Sequence, residues 1–295
     1  MMNLQSQLDL AGATAIRQNK NITVRAAEVV IPFDKPLRVP SHVSLVSAGE
    51  GIRPTVLFYV GKQTSVPLIS LEGNQSYGRS FGGFDLQIQD STLPNMTALR
   101  STGNINSTIR DFRFSHYGVD CWGIVINDIE STTVEKVDVH CASPLSIWSG
   151  DNHAFRDMDL GASTDDRVIN QQLPAACVWI AGMPYHWIFD GSQTWQGGQH
   201  AIYGRVTSPN TGSGLFLHHV RYEQSTSSTD PHRAAVDLRF LEKQLECLLI
   251  GPGCRFTDRV KAVDARGIWR VEISESTWIK GSIDTMLAIE AIDTY

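Results

Sequence analysis

Paired thiols, positive charge, long apolar runs and the charged residues that clothe helices are all scarce in this chain, and each scarcity removes a class of protein. Lys, Arg, Asp and Glu make up 19% of 295 residues, few for a soluble protein built on helices, whose outer faces usually carry Lys and Glu. The formal charge is −6, which argues against nucleic acid as a partner, because phosphate contacts need concentrated Lys and Arg. A neutral glycan suits that charge, and so does an acidic one over a local Arg or His patch. Five cysteines, Cys121, Cys141, Cys177, Cys247 and Cys254, form no CxxC. An odd count without that spacing predicts neither a disulfide framework nor a thiolate zinc site, but buried apolar thiols. HExxH, EF-hand and facial-triad spacings are missing, as are Rossmann, P-loop and nucleophile-elbow contexts, so no metal and no cofactor is expected. No run of 18 apolar residues occurs, which predicts no membrane-spanning helix.

What is present is a degenerate repeat: apolar, two spacers, apolar, one spacer, apolar. Ile109-Arg-Asp-Phe112-Arg-Phe114, Val134-Glu-Lys-Val137-Asp-Val139 and Phe155-Arg-Asp-Met158-Asp-Leu160 carry it. Leu217-His-His-Val220-Arg-Tyr222 and Leu245-Glu-Cys-Leu248-Leu-Ile250 follow, with a weaker copy at Gly83 and a distorted one from Ile188. A shorter apolar element recurs between the copies, as in Gly123–Ile126, Pro144–Ile147, Cys177–Ile180, Ala201–Tyr203 and Ala235–Leu238. Strands this short cannot bury an apolar face alone. Stacked coil upon coil they form continuous parallel sheets, rising about 4.8 Å per coil. The extra spacer turns the chain from one sheet to the next, and turns this short leave no room for βαβ crossover helices.

The expected fold is therefore all-β: a single-stranded right-handed parallel β-helix with a short N-terminal capping segment. Residues 1–36 are assigned to the cap and lead-in. Residues 37–295 are assigned to the β-helix, with loop insertions at 161–174, 191–198 and 225–231. Gln5–Ile16, with Leu4, Leu8 and Ala15 on one side, is the candidate capping helix, and residues 281–295 still read as a coil.

The segment Leu37-Arg-Val-Pro-Ser-His-Val-Ser-Leu-Val-Ser-Ala-Gly-Glu50 resembles the first coil of pectin-lyase-like β-helix proteins, a class that includes bacteriophage tailspikes and capsule depolymerases. The likeness runs through roughly residues 37–292 as repeat texture. It implies an extracellular polysaccharide as partner, an extracellular or virion-associated place of action, a homotrimer as in the phage members, and catalysis by acidic residues on the side wall. Lyases, epimerases and non-catalytic shafts share the fold, so the fold does not choose among them. The opening MMNLQSQLDLAG has neither the basic end nor the apolar stretch of a signal peptide, so synthesis in the cytoplasm is expected.

Outward positions of stacked coils align as ladders. The residue between the last two apolar positions gives Arg113, Asp138, Asp159, an equivalent near Ser192, and Arg221. The third repeat position gives Asp111, Lys136, Asp157, Asp190 and His219. Two carboxylates on adjacent coils raise each other's pKa where solvent is limited, so one can donate a proton to a glycosidic oxygen while the other activates water or attacks the sugar. Asp138, Asp157, Asp159 and Asp190 are the candidate catalytic acids. Against this, Asp on an exposed β-helix face commonly does no more than solvate it.

Trp148, Trp179, Trp187 and Trp195 fall in the same third of the chain, where indole faces could cover the C–H face of a sugar, although Trp179 also reads as core. His200, Tyr203 and Arg221 complete the candidate substrate-binding set. They also support a lyase in which His200 or Tyr203 is the base and Arg205 or Arg221 clamps a uronic carboxylate. The functional expectation is an endo-acting glycoside hydrolase on an extracellular or capsular polysaccharide. The alternatives are a polysaccharide lyase acting by β-elimination and a non-catalytic glycan-binding or structural shaft.

Overall fold

The computed structural model describes residues 3–27, 29–49, 54–162, 168–169, 173–206, 210–223, 234–241 and 244–285. Among these, 23 strands join into one system in which every pairing is parallel. An antiparallel pair, Val168–Ile169 with Leu173–Pro174, stands apart from it. The architecture is the expected right-handed parallel β-helix, a three-walled stack.

Each wall rests on a ladder of inward apolar side chains. The first runs through Leu37, Ile69, Leu99, Ile124, Leu145, Val178, Ile202, Val236 and Val263. On the second wall the sequence is Leu45, Phe81, Ile109, Val134, Phe155, Phe189, Leu217 and Ile250. Leu57, Leu86, Phe114, Val139, Leu160, Trp195, Tyr222 and Phe256 line the third. All of these are buried. At about 1.5–3 kcal/mol per buried side chain, the stack gains what no isolated strand can.

The repeat now has a geometric meaning. In the copies at 109, 134, 155 and 217 its first apolar residue lies on the second wall and its last two on the third. The copies read at Gly83 and Leu245 are out of phase: Gly83 is itself the corner, and Ile250 stacks on Leu217 of the second wall. One spacer is the corner, in left-handed backbone: Gly83, Asp111, Lys136, Asp157, Gly191, His219 and Gly253 have φ of 80°, 49°, 53°, 50°, 72°, 55° and 73°. A Cβ in that region costs about 1–2 kcal/mol, partly offset by the chain entropy a glycine loses on folding. Lys136→Gly is therefore expected to raise stability by about 0.5–1 kcal/mol. Gly191→Ala, whose Cβ would lie 2.5 Å from Asp157 Oδ1, should lower it by about 1–2 kcal/mol. Urea midpoints at unchanged slope would check both.

Helix α1, Leu4–Gln18, closes one end of the stack. Asn3 caps it by accepting from Ser6 N at 2.8 Å. Leu4, Leu8, Ala11 and Ala15 are buried, and Gln5 exchanges hydrogen bonds with the backbone of Arg38 at 2.9 and 3.0 Å. The coils begin earlier than the expected Leu37. Ile22–Ala26 already pairs with Val43–Ser47, and Val30–Phe33 with Thr55–Tyr59.

The expected loop at 191–198 is corrected: Trp187–Gly197 is one continuous strand. Its inward position opposite Met158 holds Gln193 in place of an apolar residue. That glutamine is buried because its amide donates to Phe155 O at 3.0 Å and to Asp190 O, and accepts from Trp195 Nε1 at 3.2 Å. An extra residue at this corner shifts the register, so Phe189, not Ile188, faces inward. Of the other expected insertions, residues 225–231 and much of 161–174 lie outside the described residues, as do 286–295 of the expected last coil. The five thiols are unpaired and buried as expected, and burial pushes the Cys177 thiol up to about 12.

Candidate functional site

On the third wall the outward column reads Arg113, Asp138, Asp159, Thr194, Arg221 in direct register. The expected ladder is present, with Thr194 at the place assigned near Ser192. Asp138 and Asp159 thus sit on adjacent coils. His140 follows Asp138 by two residues, so strand alternation sends it out on the same side. Its Nε2 lies 3.1 Å from Asp138 Oδ1 and 3.7 Å from Asp159 Oδ1. The ring reaches across because its register partner is Gly161. A Cβ at Gly161 would come within 2.2 Å of His140 Nδ1.

The two carboxyl groups are not equivalent. Asp159 is about half exposed, yet its Oδ1 is covered by protein and accepts no hydrogen bond. Burial holds its carboxyl above the usual Asp range. The neighbouring Asp138 adds to that rise, while His140 opposes it. One donor atom from each of Asp138, His140 and Asp159 lies within 4.8 Å of the other two. One carboxylate oxygen of Asp138 and one of Asp159 are therefore close neighbours, as expected for side chains stacked on adjacent coils. The same three donors, two carboxylate oxygens and an imidazole nitrogen, could also hold one divalent cation.

The other two candidate acids are engaged elsewhere. Asp157 stands at the corner, and its Oδ1 accepts from Ser192 N at 2.8 Å. Asp190 is not the corner residue of its coil, since Gly191 takes that place. Asp190 Oδ1 accepts from Gly191 N at 2.7 Å and meets His219 Nδ1 at 3.3 Å. The Gly191 bond, ahead of His219, holds its carboxyl below the usual range, the wrong direction for a proton donor at neutral pH.

The first wall carries a groove of about 450 Å³ lined by Arg100, Trp122, Val125, Trp148 and Trp179 among others. Trp122 meets Trp179 edge-on at 5.3 Å between ring centroids, and Trp179 lies parallel to Tyr203 at 6.5 Å. Trp148 is 41% exposed. Three of the expected sugar-facing residues, Trp148, Trp179 and Tyr203, are therefore brought to one wall.

Trp187 and Trp195 are not there, and their assignment to ligand contact is corrected. Both are fully buried in the stack's interior. Their N–H groups are satisfied by Gly150 O at 2.7 Å and Gln193 Oε1 at 3.2 Å, which makes an indole acceptable as core. His200 is buried as well, its Nδ1 donating to Ala234 O at 2.7 Å. Arg221 lies on the third wall beside Glu223, 3.0 Å from its Oε1. Of the elimination reading's groups, Tyr203 and Arg221 thus stand on different walls, whereas the alternative clamp, Arg205, lies over the Tyr203 ring at 4.3 Å to its centroid and is paired with Asp237.

Sequence reasoning passed over His140, Arg100 and Trp122. For His140 the signal was available in the alternation Asp138-Val139-His140. Arg100 and Trp122 come from the shorter element, where the phase of alternation is hard to fix without register. No family model, no curated protein and no solved structure matches this chain.

Proposed function

We propose that the protein hydrolyses a polysaccharide laid along its side wall, with Asp159 as general acid and Asp138 as nucleophile. The observation that carries this reading is the in-register Asp138–Asp159 pair bridged by His140, in which burial favours the protonated form of one member. In the first step Asp159 gives its proton to the glycosidic oxygen as that bond breaks, and Asp138 bonds to the anomeric carbon. In the second, ionised Asp159 takes a proton from water while the water oxygen displaces Asp138, and the acid is restored. His140 positions both carboxyl groups.

A panel of capsular and plant polysaccharides tests the assignment through reducing-end release and size-exclusion profiles. Polymer length should collapse before small sugars accumulate, and the products should keep the anomeric configuration of the substrate. Products absorbing as unsaturated sugars would replace hydrolysis by elimination. Absence of new reducing ends across the panel would leave glycan binding without turnover. One observation favours that second reading: the aromatic groove lies on the first wall and the acid pair on the third.

A further inference from the structure

The outward column of the first wall changes character along the stack. Arg100, Val125, Ser146, Trp179 and Tyr203 follow one another in register, and Asp237 and Asp264 continue the column. At the aspartate end the charges are matched. Arg205 Nη2 lies 2.7 Å from Asp237 Oδ2, Arg239 Nη2 3.3 Å from Asp264 Oδ2, and Arg266 Nε 3.1 Å from Asp264 Oδ1.

Arg100, at the other end, is not matched. It forms no ion pair among the described residues, and its register neighbours Ser70 and Val125 carry no charge. Its guanidinium carbon lies 5.4 Å from the centroid of the Trp148 ring. Its Nε is covered by protein and reaches no acceptor. A second covered donor without an acceptor, Nε1, belongs to Trp179, a residue that lines the same groove. Donors removed from water and left unpaired are costly, more so when charged.

A ligand that completes this groove must supply acceptors, a negative charge for the guanidinium and an apolar face for the rings. A hydrocarbon lacks the first two, and a neutral sugar lacks the charge. A carboxylate matches the planar guanidinium fork. Aromatic rings on consecutive coils, about 4.8 Å apart along the stack, form a strip suited to an extended chain.

We propose that this groove is a binding site for a sugar unit bearing a carboxylate, with the carboxylate paired to Arg100 and the sugar's C–H face laid on Trp148 and Trp179. The site is separate from the Asp138–Asp159 pair. It shares with the hydrolase reading only the premise that the walls face carbohydrate. Matched ion pairs beyond Tyr203 leave Arg100 as the groove's unpaired charge, so one acidic unit per groove is recognised.

The test is calorimetric titration of the Asp159→Asn protein with oligosaccharides of glucuronate, galacturonate, mannuronate and sialic acid, each beside its carboxyl-reduced counterpart. At least one acidic oligosaccharide should bind, and reduction of its carboxyl should weaken binding tenfold or more. Arg100→Gln should weaken the acidic ligand to the same degree and leave the reduced one unchanged. Its unfolding midpoint should fall little if at all, because the Arg100 side chain forms no ion pair among the described residues and its one ring contact, with Trp148, is at a partly exposed site worth about 0.5–1 kcal/mol. The proposal is overturned if no acidic oligosaccharide binds, if the reduced forms bind equally well, or if Arg100→Gln binds as the parent does. Should Arg100→Gln fail to fold, the comparison of acidic and reduced ligands on the parent still decides. Polymer cleavage by the wild type without groove binding would remove this site and leave the acid pair standing. Groove binding without cleavage would do the reverse.

Discussion

Asp128→Ala is expected to cost roughly 3–5 kcal/mol of stability, the scale for removing one partner from a buried charged network. Asp128 is almost wholly buried. Its Oδ1 accepts from the backbone N and the Nδ2 of Asn104, both at 3.0 Å. Its Oδ2 accepts from Ser101 at 2.6 Å, Thr132 at 2.8 Å and Ser107 at 3.3 Å. Asn104 then accepts from Arg79 Nη1 at 2.6 Å. Arg79, itself buried, donates to Val43 O at 2.9 Å and Val39 O at 3.0 Å.

The network therefore ties successive coils through their polar interior. Burial brings the Arg79 pKa down to about 10, and the negative charge of Asp128 is the largest influence opposing that fall. Alanine would orphan the donors around Asp128 and remove the larger of the two negative charges that support Arg79, leaving Glu72 alone. Asparagine keeps the shape and one acceptor, and about 1–3 kcal/mol is expected there, the desolvation penalty of the unsatisfied groups. Urea unfolding followed by circular dichroism measures both. The slope should be compared with that of the wild type, because a solenoid that loses one coil interface can unfold in parts. A loss under about 1 kcal/mol for the alanine variant would mean that water takes over the role of the carboxylate.

The fold was legible because its determinant is local and repeated. Each in-phase copy of the apolar pattern encodes the same corner; misreadings fall where a coil departs from it, or where a copy is taken out of phase, as at Leu245–Ile250, which precedes its corner at Gly253. Gln193 fills an inward position with a polar side chain, so 191–198 reads as a loop although the strand runs on to Gly197. Trp187 and Trp195 read as outward in sequence because tryptophan beside polar residues suggests a ligand face. Register shows instead that each takes a core position whose N–H happens to meet an acceptor. The acid column was legible as far as residue 160, where copies follow one another without insertion. From the next coil onward, residues 161–186 and the extra corner residue blur the count, and Asp190 was given the place that belongs to Gly191. Pairing alone could not reveal which acids lose solvent. That depends on His140 crossing Gly161, a contact between coils that no single strand contains.

Asp159→Asn should lower the rate of glycan cleavage by about 10²–10⁴-fold, the range for losing a general acid, while leaving the unfolding midpoint unchanged or slightly higher. The two effects have one origin. Because the folded-state pKa of Asp159 is raised, the folded protein holds this proton more tightly than the unfolded chain between the ordinary Asp value and the raised one. The contribution of this group to stability therefore falls as pH rises through that window, and the cost is complete above the raised value. Asparagine removes the charge that burial penalises. With the side chain about half exposed, solvent screening keeps the gain small. Activity should follow the same proton. In the wild type, cleavage declines as pH rises through the Asp159 ionisation, and the variant should lack that alkaline limb in its residual rate. Asp138→Asn removes the nucleophile and the carboxylate 3.1 Å from His140 Nε2, and should abolish turnover at every pH. Full activity in Asp159→Asn, with the alkaline limb intact, would strip the pair of its chemistry. The buried oxygen of Asp159 would then be a local cost of packing His140 over Gly161, and nothing more.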